Sequence, residues 1–167
     1  LFVFLPFTFI VYYILPSLKA RNLFLACVSL VFISFGQLVY IPVFLLSVLV
    51  NYLSGLLIMS GKLNRKAVLA VAVVLNLGVL CFFKYTDFII QNLNLAFGLS
   101  VGTLGMALPI GISFYTFQGM SYTIDVYRQP ESGTKSLGKL TLYIALFPQL
   151  IAGPIVKYHD ISRQIDE

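Results

Sequence analysis

Five small or polar residues recur at helical spacing in an apolar segment and are the first candidates for chemistry. They are Gly111, Tyr115, Gln118, Tyr122 and Asp125, separated by 4, 3, 4 and 3 positions. This spacing aligns them along one face of a helix. Polar side chains inside a membrane are costly unless they face protein or water. The pattern therefore predicts a stripe facing the interior of a helix bundle, as the wall of a cavity or tunnel.

A simpler interpretation of the stripe stays open beside that one. Tyrosines and a glutamine around a close-packed glycine can hydrogen-bond to neighbouring helices and only hold them together. For Asp125, an ion pair with Arg128, three positions further on, is a sufficient explanation.

Acid–base chemistry within this chain would require His159, the single histidine. It follows Lys157 in a polar segment, where a solvated residue at the membrane surface is expected. The sequence contains no G-x-S-x-G elbow, glycine-rich phosphate loop or paired intramembrane carboxylates. Cys27 and Cys81 lie in apolar runs without ligand-spaced partners, which predicts buried thiols and no metal site. These residues alone assign no catalytic residue.

The composition determines the class of protein that must position these residues. Of 167 residues, 59% are hydrophobic and 10% charged, and the mean hydropathy is +0.95. Soluble domains carry roughly 25% charged residues. The net charge of +5 is scattered rather than gathered into a basic face, which excludes a nucleic-acid-binding module. We therefore expect an all-α integral membrane protein, with the lipid bilayer as its surroundings.

The apolar runs predict one transmembrane domain over residues 1–167. The expected spans lie near residues 1–16, 22–36, 38–59, 67–83, 107–127 and 140–156. A crossing needs about 20 residues, and the 40 uncharged residues at 22–61 would measure about 60 Å as helix, enough for two crossings. Proline at position 109 is expected to open the fifth span.

The positive charges predict one orientation. Eight of the eleven Lys and Arg residues fall on the same side of this arrangement, and the positive-inside rule makes that side cytoplasmic. These eight are Lys19, Arg21, Lys62, Arg65, Lys66, Arg128, Lys135 and Lys139. We therefore predict a multi-pass protein of the cytoplasmic (inner) membrane.

Two segments are predicted to depart from simple crossings. Residues 87–97 carry polar side chains at Asp87, Gln91 and Asn94 between apolar ones, which indicates an amphipathic helix in the outer interface. The run 140–156 contains Pro148 and Gly153-Pro154 and should be kinked or broken. Broken backbone at membrane depth occurs only where protein or a water-filled cavity covers it. The expected fold is thus a multi-span helical bundle around an enclosed pathway.

Four sequence blocks resemble the membrane-bound O-acyltransferase (MBOAT) superfamily, in particular its alginate O-acetyltransferase-like bacterial branch. They read LPIGISFYTFQGMSYTIDVYR, LFPQLIAGPIVKYHDI, VNYLSGLL and LNLGVLCFFKYTDF. The resemblance covers nearly the whole chain in the family's order. It implies that the chain corresponds to the N-terminal part of longer family members.

The resemblance also implies a function. An acyl group, here an acetyl group, would pass from a cytoplasmic-side donor (acetyl-CoA or another acyl carrier) through a membrane-embedded funnel. The acceptor would be hydroxyls of an extracytoplasmic polysaccharide, reached with an extracytoplasmic partner protein, and no tightly bound cofactor is implied. The family's essential histidine is expected beyond Glu167, so this segment alone should be inactive. The residues expected to wall the pathway are Tyr115, Gln118, Tyr122, Asp125 and Gln149.

Two alternatives come from other functional classes. Broken helices and intramembrane polar stripes also occur in transporters and channels, although only Asp125 could mark an ion path here. A non-catalytic scaffold of a polysaccharide export complex would fit the missing base but would give the polar stripe no purpose.

Overall fold

The computed structural model describes residues 3–36, 38–109, 111–146 and Tyr158, and its regular structure within these ranges is helical throughout, with no strand. The helices are α1 (Phe4–Ile14), α2 (Leu18–Gly36), α3 (Ile41–Ser60), α4 (Arg65–Phe97), α5 (Ile112–Arg128) and α6 (Leu137–Ala145). Short 3₁₀ turns at Leu38–Tyr40 and Pro130–Ser132 precede α3 and follow α5. The predicted all-α class is confirmed for the described residues.

Two described helices are long and apolar enough to cross a membrane. One is Leu38–Ser60, which joins the first 3₁₀ turn to α3, and the other is α4; their mean hydropathies are 2.2 and 2.3. The apolar helix α1 has 11 residues, about 16 Å, and is shorter than a hydrocarbon core of about 30 Å. An all-helical described structure with two such helices fits a membrane protein. The number of crossings stays a prediction.

The helix bounds differ from the sequence-based expectation at several places, and two of these differences change the architecture. The predicted span 67–83 and the predicted interfacial helix 87–97 form one continuous helix, α4, because no glycine or proline interrupts residues 84–86. Helix α5 begins at Ile112 rather than near residue 107, because Gly111 takes the left-handed conformation with φ 76° just before it. The lipid-interface position of residues 87–97 stays a prediction.

Helices α3, α4 and α5 pack against one another, while α6 packs on α2 and α1 on α2. The side chains buried in these contacts are mainly aliphatic and aromatic. They include Phe44, Val48 and Ile58 of α3, Leu80 of α4, Ile112, Tyr115, Tyr122 and Val126 of α5, and Leu140, Tyr143 and Ile144 of α6.

Two buried asparagines join the three central helices. Asn51 Nδ2 donates to Asn76 Oδ1 at 3.0 Å, and Asn76 Nδ2 donates back to Asn51 Oδ1 at 3.2 Å. Their remaining N–H groups reach the carbonyl oxygens of Ser47 and Ala72, each at 2.8 Å. Thr123 of α5 donates to Asn51 Oδ1 at 2.9 Å. Every amide N–H of the pair finds its acceptor on α3 or α4, and α5 adds a donor to the Asn51 oxygen. The network therefore acts as a clamp rather than a ligand site.

The clamp requires α5 to approach α3 closely. A Cβ atom added at Gly119 would collide with the side chain of Asn51. Glycine at this position therefore lets the two helices meet at the amide pair, as small residues do at helix interfaces in membranes.

The contacts also define the relative directions of the central helices. Phe44 meets Tyr115 and Gly55 meets Tyr122, so α3 and α5 run in the same direction. After α5, the Tyr52 hydroxyl donates to the carbonyl of Lys135, and Gly133 lies against Met59. The C-terminal ends of α3 and α5 and the start of α4 therefore share one end, which carries five cations. These are Lys62, Arg65, Lys66, Arg128 and Lys135.

Replacing Asn51 by leucine should destabilise the fold, because Asn76 would keep buried amide groups without their partners. We expect a loss of about 1–3 kcal/mol, with the double variant Asn51→Leu/Asn76→Leu losing less than the sum of the single variants. Unfolding in detergent micelles measures this. The exposed Asn92 of α4 provides the matched control, Asn92→Leu. Equal stability of Asn51→Leu and Asn92→Leu would contradict the clamp.

Candidate functional site

Helix α5 turns its polar stripe toward the interior of the described structure. Tyr115, Gln118 and Tyr122 are 1%, 6% and 0% exposed, whereas Phe114 and Phe117 on the other side are more than 40% exposed. Gly111 and Asp125, at the two ends of the stripe, are half-buried. The inward direction indicated by the 4, 3, 4, 3 spacing agrees with this burial. That these side chains line a tunnel stays a prediction.

Tyr122 is held by its neighbours on several sides. A Cβ atom added at Gly55 would lie 2.7 Å from its hydroxyl, so the phenol fits against bare backbone of α3. The backbone N–H of Thr134 donates to the same hydroxyl at 3.3 Å. The ring of Tyr158 meets that of Tyr122 edge-on, with centroids 5.1 Å apart. In the described structure Tyr122 thus acts in packing, as the simpler interpretation of the stripe expects.

Tyr115 is buried in a different way. Its ring stands edge-on to Phe44 of α3, with centroids 5.3 Å apart. Its hydroxyl is buried and has no hydrogen-bond partner among the described residues. The hydroxyl therefore contributes nothing evident to the packing that the ring provides.

For Asp125, the structure bears on the simpler explanation, an ion pair with Arg128, whereas its place in the pathway wall stays a prediction. Its Oδ2 atom is buried and accepts no hydrogen bond from the described residues, while Arg128 is exposed. The expected pairing with Arg128 is therefore not made through this oxygen, because the carboxylate turns inward and the guanidinium turns outward. The two unpartnered buried atoms, on Tyr115 and Asp125, lie towards opposite ends of the stripe.

Two predicted features lie wholly or partly outside the described residues. Gln149 and His159 are outside, as are Pro148 and the Gly153-Pro154 pair of the predicted broken segment. Tyr158, beside His159 in sequence, is buried between Tyr122 and Tyr143, with 5.1 Å between ring centroids on each side.

The cysteines were predicted wrongly as buried. Cys27 and Cys81 are free and exposed, because they lie on sides of α2 and α4 that no described helix covers. Within the described ranges, no group of three His, Cys, Asp or Glu residues could hold a metal ion.

The chain has curated relatives of one chemical class. It is 38% identical over 173 residues to the protein named "Probable alginate O-acetylase AlgI" of Pseudomonas aeruginosa, covering 99% of this chain and 33% of the relative. It is 36% identical to the protein of the same name in Azotobacter vinelandii, covering 99% of this chain and 34% of the relative. It is 32% identical over 197 residues to "Peptidoglycan O-acetyltransferase" of Helicobacter pylori, covering 100% of this chain and 37% of that protein.

By their names, these relatives are O-acetyltransferases of glycans. Over nearly its whole length the chain is similar to MBOAT-type O-acetyltransferases, which confirms the resemblance seen in its sequence blocks. The chain spans about a third of the length of these curated relatives. No family model matches it, and no solved structure does.

The Asn51–Asn76 pair was not predicted from the sequence. The available signal was a lone amide in each of two apolar runs, SVLVNYLSG and AVVLNLGVL. Such residues indicate a contact between helices, because an isolated polar side chain in a membrane helix needs a partner on another helix.

Substitution of Gly55 by alanine should disturb the stripe, because the new methyl group would overlap the Tyr122 phenol. We expect a lower thermal midpoint and a lower yield of folded protein in detergent. Gly78 of α4 is the matched control, since an added Cβ there meets nothing within 4 Å. Gly78→Ala should be neutral or slightly stabilising. Equal behaviour of the two variants would contradict the packing of Tyr122 against Gly55.

Proposed function

We propose that the protein is an O-acetyltransferase that esterifies hydroxyl groups of an extracytoplasmic polysaccharide, with this chain contributing part of the acyl pathway. The observation that carries the proposal is the identity of 32–38% to proteins named as O-acetylating alginate or peptidoglycan, over nearly the whole chain. Both named acceptors are glycans with free hydroxyls. The shared chemistry is therefore acetyl ester formation on a sugar, and the particular glycan follows from the organism that makes it.

The reaction requires a base and a dry path from the protein. The acceptor hydroxyl attacks the acetyl carbonyl carbon, the bond to the donor breaks, and the hydroxyl proton passes to a base and then to the leaving group. A dry path must also keep water from hydrolysing the donor. We assign the base to no described residue. The contribution of this chain is the path.

The geometry of α5 supports that role. The helix has 17 residues and measures about 25 Å, close to the thickness of a hydrocarbon core. Its polar face starts at the end of the unit opposite the cations and ends beside them, at Asp125. A donor supplied at the cationic, cytoplasmic end would reach an acceptor at the other end along this face. Among the described residues, Tyr115 Oη and Asp125 Oδ2 have no hydrogen-bond partner, which would leave both atoms free to bind a passing group.

The proposal includes the setting of the enzyme. The protein would be a multi-pass component of the cytoplasmic membrane, oriented by its cations according to the positive-inside rule. The donor would be acetyl-CoA or another acyl carrier on the cytoplasmic side. An extracytoplasmic partner protein would present the polysaccharide.

Deletion of the gene should remove O-acetyl esters from one surface glycan of the producing organism. The measurement is the acetate that mild alkali releases from purified peptidoglycan and from purified exopolysaccharide. Mild alkali cleaves O-acetyl esters and leaves N-acetyl amides intact, so the released acetate reports the esters. Complementation with the intact gene should restore the esters. Unchanged ester content in both glycans after deletion would contradict the function.

Gln118→Leu should separate a pathway residue from a purely structural one. If the stripe walls the acyl path, the variant should reach the membrane in normal amounts and lose most of its O-acetylation, since an apolar side chain replaces a buried polar one. Gln91→Leu, at an exposed position of α4, is the matched control and should retain activity. Low membrane levels of Gln118→Leu, with normal activity per folded molecule, would assign the residue to helix packing instead.

A further inference from the structure

Four tyrosines are buried in the described structure, and Tyr115 stands apart from the others. The four are Tyr115, Tyr122, Tyr143 and Tyr158. The Tyr122 hydroxyl accepts a hydrogen bond from the backbone N–H of Thr134. The rings of Tyr122 and Tyr143 both pack against the ring of Tyr158. Among the described residues, the buried side-chain atoms without a hydrogen-bond partner are Tyr115 Oη and Asp125 Oδ2. Tyr115 is the more deeply buried of these two residues, at 1% exposure.

A buried hydroxyl without a partner works against folding. The group leaves its hydrogen bonds to water behind and gains none, so phenylalanine would fill the same space at lower cost. The ring of Tyr115 already has its packing partner in Phe44. The position therefore carries a polar atom that the described structure does not use, on a ring held in place by the aromatic contact.

The location of this hydroxyl suits a ligand in the acyl path. Tyr115 lies in the first turn of α5, at the end of the unit opposite the cations. It precedes Arg128 by 128 − 115 = 13 residues, about 20 Å along the helix. An acetyl group is an apolar methyl joined to a carbonyl oxygen that only accepts hydrogen bonds. A phenol donor beside an aromatic ring matches both parts of that group.

We infer that the hydroxyl of Tyr115 donates a hydrogen bond to the carbonyl oxygen of the acyl group that the enzyme transfers. This inference rests on the proposed function and names a residue that binds the acetyl group during its transfer. No covalent bond forms or breaks at Tyr115, and its proton stays on Oη. A donor aimed at this oxygen also stabilises the negative charge that develops there during attack.

The test is Tyr115→Phe in the full-length protein, which removes the hydroxyl and keeps the ring against Phe44. Membranes containing the variant are supplied with radiolabelled acetyl donor and acceptor glycan, and ester formation is normalised to folded protein. We expect transfer to fall about a hundredfold to a thousandfold. The thermal midpoint should be unchanged or higher, because the lost hydroxyl had no partner.

The matched control is Tyr52→Phe, whose hydroxyl donates to the carbonyl of Lys135 at 2.8 Å. This variant should be less stable and should transfer acetyl groups normally per folded molecule. Normal transfer by Tyr115→Phe would overturn the inference alone, and so would a loss of stability as large as that of Tyr52→Phe. Absence of transfer by the wild-type protein would overturn the proposed function and the inference together.

Discussion

The reciprocal amide pair of Asn51 and Asn76 is the interaction on which the described structure depends. Two carboxamides in apolar helices must find hydrogen-bond partners, and here each donates to the oxygen of the other. The second N–H of each amide donates to a backbone carbonyl of its own helix. Thr123 adds the third helix to the same oxygen of Asn51. The close approach at Gly119 follows from this contact. Once the amides are paired, the rotation of α5 is determined, and with it the inward direction of Tyr115, Gln118 and Tyr122.

The helix directions connect this clamp to function. Because α3 and α5 run parallel and α4 runs in the opposite direction beside both, cations from three separate stretches of sequence meet at one end of the unit. The other end carries Tyr115 and Phe44 and lacks that charge cluster. The unit therefore has two chemically different ends joined by a buried polar face. A catalyst that takes an acyl group on one side of a membrane and delivers it on the other requires such an asymmetry.

Much of this could be predicted from particular residues, and the failures have physical reasons. The helical class and the inward stripe followed from apolar runs and from spacing. The continuous helix α4 was not predicted, because the charged Lys84 indicates the end of a membrane span, whereas a lysine does not interrupt a helical backbone. The start of α5 depended on the left-handed conformation of Gly111, and the amide pair on a contact between helices that no periodicity encodes. The family resemblance, carried by whole sequence blocks, is confirmed by the relatives.

The central claim is that an acetyl group crosses the membrane through this protein and becomes an ester on the far side. Inverted membrane vesicles, which expose the cytoplasmic face, can be given radiolabelled acetyl-CoA and a cytosolic fraction that supplies any other carrier. The account predicts alkali-labile label on glycan enclosed in the vesicles, and only when the full-length protein is present. Equal labelling without the protein, or label that never reaches the enclosed glycan, would contradict it.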